Sequence, residues 1–313
     1  MFSQRPVPPS NPFAMPYWED DPDFDLSRHL KRATLPALGD LEALQRFVES
    51  RMSVPFDRRH PLWELILVDG YGSGCALVSR FHHSLADGIA LSQVLLSLAN
   101  DSPAVDLDEI EAREASSPHS GGLIGAARSL IDTGAHAVRG GLEAMSMIPV
   151  NVRPPDQPLP RELGNKFALV YLKMPTGVRA PLERVSEAKR RMDWIKVSPE
   201  AFLTFGLNRV IGRLEPRLSN SLVNCFSDKA IGVTTNVIGP QRQRYIAGVP
   251  IAGSVGWVPG SGRQTLGVCI FSLAGIVRVG FKVDAPLVPD VEKLVHAFDE
   301  DLDQLLRIAA SAV

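Results

Sequence analysis

Between a strand-like apolar run, Cys75-Ala76-Leu77-Val78, and a helix-like one, Ile89 to Leu98, stands the octapeptide Phe81-His82-His83-Ser84-Leu85-Ala86-Asp87-Gly88. A change from strand to helix periodicity over so short a span predicts a strand, a tight turn and a helix start. Two adjacent histidines sit at that strand end, with Asp87 about one helical turn beyond His83. A general base needs rigid mounting of this kind, with a carboxylate to hold the turn. A satisfied polar cluster at a strand edge is the plainer reading of the same residues. Successive strand side chains alternate, which sends the His82 ring to the other side from His83 and gives it a structural role. Gly88 would let the chain pass close to a substrate without a Cβ. A metal at His82, His83 and Asp87 is not expected, because adjacent strand histidines point apart and no other cluster supplies a third ligand.

The rest of the chain reads as interleaved strands and helices. Residues 1–39 are Pro-rich with little periodicity and read as extended surface chain. A helix is expected over Leu41–Met52, capped by Asp40, and an antiparallel strand pair over Leu62–Val68 and Cys75–Phe81, joined at Tyr71-Gly72-Ser73-Gly74. Residues 101–120 turn acidic and then Ser/Pro/Gly-bearing, marking a linker. Leu123–Met147 has helical apolar spacing; it reads as a helix packed across a domain junction or, alternatively, as a lipid-surface helix. Further on, Phe167–Leu172 and Ala230–Val237 read as strands. Helices are expected over Val178–Ile195, Pro199–Leu214, Pro216–Phe226 and Val291–Ile308, and a hairpin over Thr265–Ser272 and Ile276–Val283. The pattern predicts an α/β (α+β) pair of domains: residues 1–120, a linker helix over 121–147, and residues 148–313.

Bulk properties narrow the function. A net charge of -2 gives no global attraction to nucleic acid, and 45% hydrophobic against 22% charged residues is ordinary for a globular chain. The odd, well-separated cysteines Cys75, Cys225 and Cys269 lie in apolar runs, which predicts core thiols in a reducing compartment. No signal-peptide core and no spanning apolar window are apparent, so a cytoplasmic chain with at most peripheral membrane contact is expected. Phosphate-loop, Gly-x-Ser-x-Gly and Cys-His signatures are absent, which disfavours nucleotide hydrolysis and serine or cysteine hydrolase chemistry. Thr234, Thr235 and Asn236 offer hydroxyl and amide donors at a strand end, suited to an oxyanion or a substrate channel. Asn236 reads equally as a cap of the Gly239-Pro240 turn. Trp63 reads as core packing or a channel wall.

Three ordered blocks carry a family resemblance: Pro61-Leu62-Trp63, the His82-His83…Asp87-Gly88 segment, and Asn236-Val237-Ile238-Gly239-Pro240. They resemble the Pro-Leu-Trp, His-His-x-x-x-Asp-Gly and Asn-Val-x-Gly-Pro blocks of the bacterial wax ester synthase/acyl-CoA:diacylglycerol acyltransferase family. Glu19–Asp25, Leu163–Phe167 and Asp284–Pro289 are also similar to it. The resemblance implies a chloramphenicol acetyltransferase-like fold of two related domains with the active site in a channel between them. It implies that the second histidine, His83, is the base, and that Asp87 braces the site through an arginine, with direct pairing to His83 as the alternative. It further implies transfer of a long acyl group from acyl-CoA, a substrate and not a cofactor, to diacylglycerol or a long-chain alcohol. The products would be triacylglycerol or wax ester, formed in the cytoplasm or at a membrane or lipid-droplet surface. Against the family pattern, an upstream strand and helix and an Asn-Asp-bearing helix are not found, so the chain reads as a shortened member with elements missing from each domain. Two alternatives follow: a non-catalytic lipid-surface or partner-binding member, and a superfamily acyltransferase with an amine or polyketide hydroxyl as acceptor.

Overall fold

The computed structural model describes residues 2–11, 16–36, 39–104, 144–152 and 165–311. It divides into two units: Met1–Leu91 with Leu159–Asn165, and Ser92–Pro158 with Lys166–Val313.

In the first unit, strands β1 (Gln4–Val7) and β2 (Tyr17–Asp20) pair antiparallel. A short 3-10 turn at Leu26–Arg28 leads into β3 (Leu30–Thr34), followed by helix α1 (Leu41–Met52) and strands β4 (Trp63–Tyr71) and β5 (Gly74–Phe81). The sheet order is β3-β4-β5, with β3 parallel and β5 antiparallel to β4. Strand alternation gives each face its own core. Ile66 and Val68 join Leu35 against Leu44 and Phe47 of α1. Leu62, Trp63 and Leu85 form a second cluster with Phe2, Trp18, Phe56 and Phe81. Ile66 is 1% exposed and Val68 fully buried, each contributing about 1.5–3 kcal/mol. α1 starts as its sequence predicts: the Asp40 carboxylate accepts the Ala43 amide at 2.8 Å. Beside it the chain crosses so closely that a Cβ on Gly39 would lie 1.9 Å from the Gly70 carbonyl oxygen.

A buried charge sits in the middle of this sheet. Glu64 is buried on β4 and accepts hydrogen bonds from Lys31 Nζ of β3, at 2.5 Å, and from Arg80 Nη1 of β5, its cross-strand partner. Arg80 also stacks over Phe56 at 4.8 Å. A buried carboxylate without such partners would be strongly destabilising.

The second unit is built on a mixed sheet, β12-β11-β8-β6-β7. Its strands are β6 (Met145–Asn151), β7 (Phe167–Lys173), β8 (Gly232–Ile238), β11 (Leu266–Leu273) and β12 (Ile276–Val283); β9 (Tyr245–Ile246) and β10 (Val249–Pro250) form a separate short hairpin. β8 runs parallel to both β6 and β11. Helix α2 (Gly88–Ser97) spans the division between the units. Helices α3 (Pro181–Val197), α4 (Glu200–Ile211), α5 (Pro216–Ser227) and α6 (Val291–Ser311) follow. Ile195, Ala201, Met192 and Phe205 of α3 and α4 pack on Ala168, Val170 and Leu172 of β7.

Several expectations are corrected. Residues 1–39 are not plain extended chain: they contain a hairpin and β3. The sequence of β3, Leu-Lys-Arg-Ala-Thr, hides it, because its polar side chains are accommodated at the sheet edge, one of them by Glu64. The expected linker helix lies outside the described residues as far as 143, and Met145–Met147 begin β6 instead. By contacts the division falls at Leu91/Ser92, within α2, and the chain just after α2 is tied to the second unit: Asn100 pairs with Tyr245 and Asp101 with Arg244. Cys75 and Cys225 are exposed; only Cys269 is a core thiol, and burial raises its pKa. Among the described residues, no helix is long and apolar enough to cross a membrane.

Burial alone would raise the Glu64 pKa, but the hydrogen bonds and charges of Lys31 and Arg80 outweigh it and hold the carboxyl below its usual value. A carboxyl depressed on folding stabilises the native state above its unfolded pKa, and that contribution fades as pH falls through the folded pKa. Glu64→Gln should therefore cost about 2 kcal/mol in urea denaturation at neutral pH, since Lys31 is half exposed and partly screened. The difference from wild type should shrink as the pH drops below the carboxylate range.

Candidate active site

The histidine segment begins where the β4–β5 ladder ends. Trp63 pairs with Phe81, and the next rung is the His82 amide donating to the Leu62 carbonyl at 2.9 Å. The chain then leaves the sheet in a turn closed by the Leu85 amide on the His82 carbonyl at 3.0 Å. Both histidines thus lie just past the strand, so turn geometry and not strand alternation sets their directions. Leu85 and Ala86 are fully buried, Leu85 against Leu62 and Trp63. The Pro-Leu-Trp block is accordingly the floor on which the histidine turn rests. Trp63 itself is core: its indole N–H donates to the Phe2 carbonyl at 2.7 Å and its ring stacks on His29.

The two histidines differ in chemistry. The Ser84 amide, an obligate donor, points at His82 Nδ1 at 3.2 Å, and the Ser84 hydroxyl lies 2.7 Å from the same nitrogen. His82 Nδ1 is therefore an acceptor, which puts the ring proton on Nε2 and leaves the neutral imidazole no free lone pair. Burial, the nearby Arg58 charge and His83 all lower the His82 pKa, which favours the neutral ring. His83 is half-buried, and its backbone carbonyl accepts a hydrogen bond from the Asn165 side-chain amide at 2.9 Å.

Asp87 is buried and caps α2: its carboxylate accepts the Ala90 amide at 3.0 Å and its carbonyl the Leu91 amide at 2.9 Å. Gly88 follows, exposed, and a Cβ built on it would meet nothing within 4 Å. No steric demand of the described protein therefore requires glycine there.

Thr235 and Asn236, both in the second unit, are separated by the pleat of β8. Thr235 shares a face with the buried Val233 and Val237, while Asn236 lies on the other, with Thr234. Thr234 is occupied, its hydroxyl 2.9 Å from that of Ser146. Asn236 is exposed and its side-chain amide makes no hydrogen bond among the described residues. It does not cap the Gly239-Pro240 turn. That turn is held by Ser272, whose carbonyl accepts the Gly239 amide at 3.0 Å, and a Cβ on Gly239 would lie 2.2 Å from that oxygen.

Among the described residues, no three His, Cys, Asp or Glu side chains gather as a metal site. What the segment offers is proton chemistry: one imidazole engaged at Nδ1 by Ser84, and a second on a turn fixed by a ladder rung, a buried leucine and a helix cap. Sequence reading missed Leu85 and Asn165. The apolar Leu85-Ala86 pair inside a polar motif was the available signal for the first; for Asn165 it was the family-like block Leu163–Phe167, which does not reveal the contact with His83.

Two family models match the chain. One, described as "Wax ester synthase/diacylglycerol acyltransferase catalytic domain", matches residues 1–197, and the other, "WS/DGAT C-terminal domain", residues 163–306. The Mycobacterium tuberculosis H37Rv protein named "Probable diacyglycerol O-acyltransferase tgs1" is 41% identical over 88 residues, 28% of this chain and 19% of its own length. The one named "Probable diacyglycerol O-acyltransferase tgs3" is 34% identical over 99 residues, 30% of this chain and 36% of its own. The aligned stretches thus span about a fifth to about a third of these relatives. Among solved structures, the wax ester synthase/diacylglycerol acyltransferase from Marinobacter aquaeolei VT8 is similar with a TM-score of 0.63 at 18% identity, covering 99% of this chain and 86% of that one. The first condensation domain of the calcium-dependent antibiotic synthetase gives 0.52 at 16%, covering 96% and 83%. At such identities the likeness is one of fold, and the fold is the chloramphenicol acetyltransferase-like one that the motifs imply.

Removing the Asp87 cap should loosen the start of α2. Asp87→Ala is expected to cost about 1–2 kcal/mol in urea denaturation, and Asp87→Asn, which keeps an acceptor oxygen, to recover most of it.

Proposed function

From the premise that the chain belongs to the wax ester synthase/diacylglycerol acyltransferase family, we propose that it is an acyl-CoA-dependent O-acyltransferase. In this reading a long acyl chain passes from CoA to diacylglycerol or a long-chain alcohol, giving triacylglycerol or wax ester and free CoA. The observation that carries the reading is the mounting of His83 on a turn fixed by the His82–Leu62 rung and the buried Leu85. His82 has its lone pair engaged by Ser84, and the family resemblance gives the base role to the second histidine, His83.

His83 takes the proton of the acceptor hydroxyl as that oxygen attacks the thioester carbonyl. The carbon–oxygen bond forms, the tetrahedral oxyanion collapses, and the carbon–sulfur bond breaks. The imidazolium returns the proton to the departing thiolate. No metal, bound cofactor or covalent enzyme intermediate enters this scheme. Asp87 acts by holding the turn and the helix start. Of the β8 pair, Asn236 suits the oxyanion or channel role better than Thr235, because its amide retains unused donors; losing one oxyanion donor typically costs about 2.7–4 kcal/mol. The open space at Gly88 would be kept for substrate. The acyl donor and acceptors imply work in the cytoplasm, peripheral to a membrane or lipid droplet.

The reading is tested by thiol release from palmitoyl-CoA with dioleoylglycerol or hexadecanol as acceptor. Acceptor-dependent release should fall about 10²–10⁴-fold in His83→Ala. Folded protein that releases no thiol with either acceptor would overturn the reading in favour of lipid binding without catalysis. A second variant separates substrate space from stability. Gly88→Ala should leave the fold intact or raise its stability by up to about 1 kcal/mol, as helix propensity dictates, yet slow acyl transfer. Unimpaired turnover would remove Gly88 from the acyl path.

A further inference from the structure

We infer that the outward face of α4, together with the C-terminal end of α3, is a docking surface for an anionic phospholipid bilayer. The inference rests on the acyltransfer reading only for its purpose, access to water-insoluble acceptors; its physical grounds are separate.

α4 is apolar on both sides. Ala201, Phe205 and Ile211 face the unit's interior, where Ala201 and Phe205 join the cluster on β7. On the opposite side Phe202 is 74% exposed, Leu203 69%, Leu207 41% and Val210 56%. At about 100° per residue, these four fall within a single arc of about 140°. Trp194 and Val197, at the end of α3, add 63% and 67% exposure. A helix that is apolar all round is expected to be covered on every side.

Charge identifies the cover. In a chain of net charge -2, residues 189–217 carry seven Lys and Arg against three Asp and Glu. Of the seven cations, Lys189 and Lys196 pair with Asp193, and Arg190 and Arg191 pair with Glu187 just upstream, which leaves Arg209, Arg213 and Arg217. Glu200 accepts the Tyr171 amide, and Glu215 accepts the Arg217 and Leu218 amides. Arg209, Arg213 and Arg217 are exposed and make no ion pair among the described residues. An apolar stripe with an indole nearby and uncompensated arginines beside it is the pattern of a helix lying in a bilayer interface, its cations among acidic headgroups. A second copy fits poorly, because a two-fold contact through this face would set arginines against arginines.

Flotation of the full chain with phosphatidylcholine vesicles, with and without phosphatidylglycerol, tests the inference. Wild type should float, and more completely with phosphatidylglycerol. The double variant Phe202→Ser/Leu203→Ser should lower partitioning roughly tenfold at an unchanged thermal midpoint. Arg213→Glu/Arg217→Glu should remove the preference for anionic vesicles. Thiol release with a soluble short-chain acyl-CoA and a short alcohol, run in parallel, separates the two readings. Vesicle binding lost with soluble turnover kept supports both; vesicle binding through this face without any turnover sinks the acyltransferase and leaves the docking surface. Unchanged flotation of both variants, no flotation of wild type, or a wild-type dimer that Phe202→Ser/Leu203→Ser dissolves would each overturn the inference.

Discussion

A single backbone hydrogen bond, from the His82 amide to the Leu62 carbonyl, carries the sheet of the first unit into its histidine turn. It extends the β4–β5 ladder by one rung, so the position of His83 is set by the register Trp63↔Phe81 and not by a loop. A slip of one residue would reverse every side chain of β5 and move the turn with it. Leu85, fully buried against Leu62 and Trp63, makes that register worth keeping. Two motifs that look independent in the sequence are thus one packing unit.

Polar ties hold the N-terminal strands to the same sheet. Glu64 draws Lys31 and Arg80 together from the flanking strands. Nearer the surface, His60 Nδ1 lies 2.9 Å from the buried Asp21 carboxylate, while Arg28 donates to His60 Nε2 at 2.7 Å. Since the guanidinium can only donate, Nε2 accepts and Nδ1 carries the proton toward Asp21. Burial alone would raise the Asp21 pKa, but the His60 hydrogen bond and the Asp23 amide bring it below the usual value. His60, next to the Pro-Leu-Trp block, therefore anchors β2 rather than taking part in proton transfer.

In the second unit the same economy of faces applies. β8 gives one face, with Val233, Thr235 and Val237, to the core, and Thr234, Asn236 and Ile238 to the other. α4 has two apolar faces and uses one of them on β7. Its other face, with Phe202, Leu203, Leu207 and Val210, stays exposed among the described residues.

Much was legible from the residues because it depends on local periodicity and capping. α1 with its Asp40 cap, the β4–β5 pair and the β11–β12 hairpin lie where alternation and helical spacing put them, since each is stabilised by neighbours close in sequence. β3 escaped notice because its polar pattern makes sense only beside Glu64, and the cysteine placements because an apolar run does not say which face is covered. The sequence by itself determined the elements, the order of the motifs and the strand–turn–helix mounting of the histidines. Only the tertiary structure decided which atoms engage the His82 imidazole, which side of β8 carries an amide with no partner among the described residues, and that Leu85 is the anchor. Those outcomes depend on hydrogen-bond partners and buried contacts, several of them brought together from distant parts of the chain, and no local pattern encodes them.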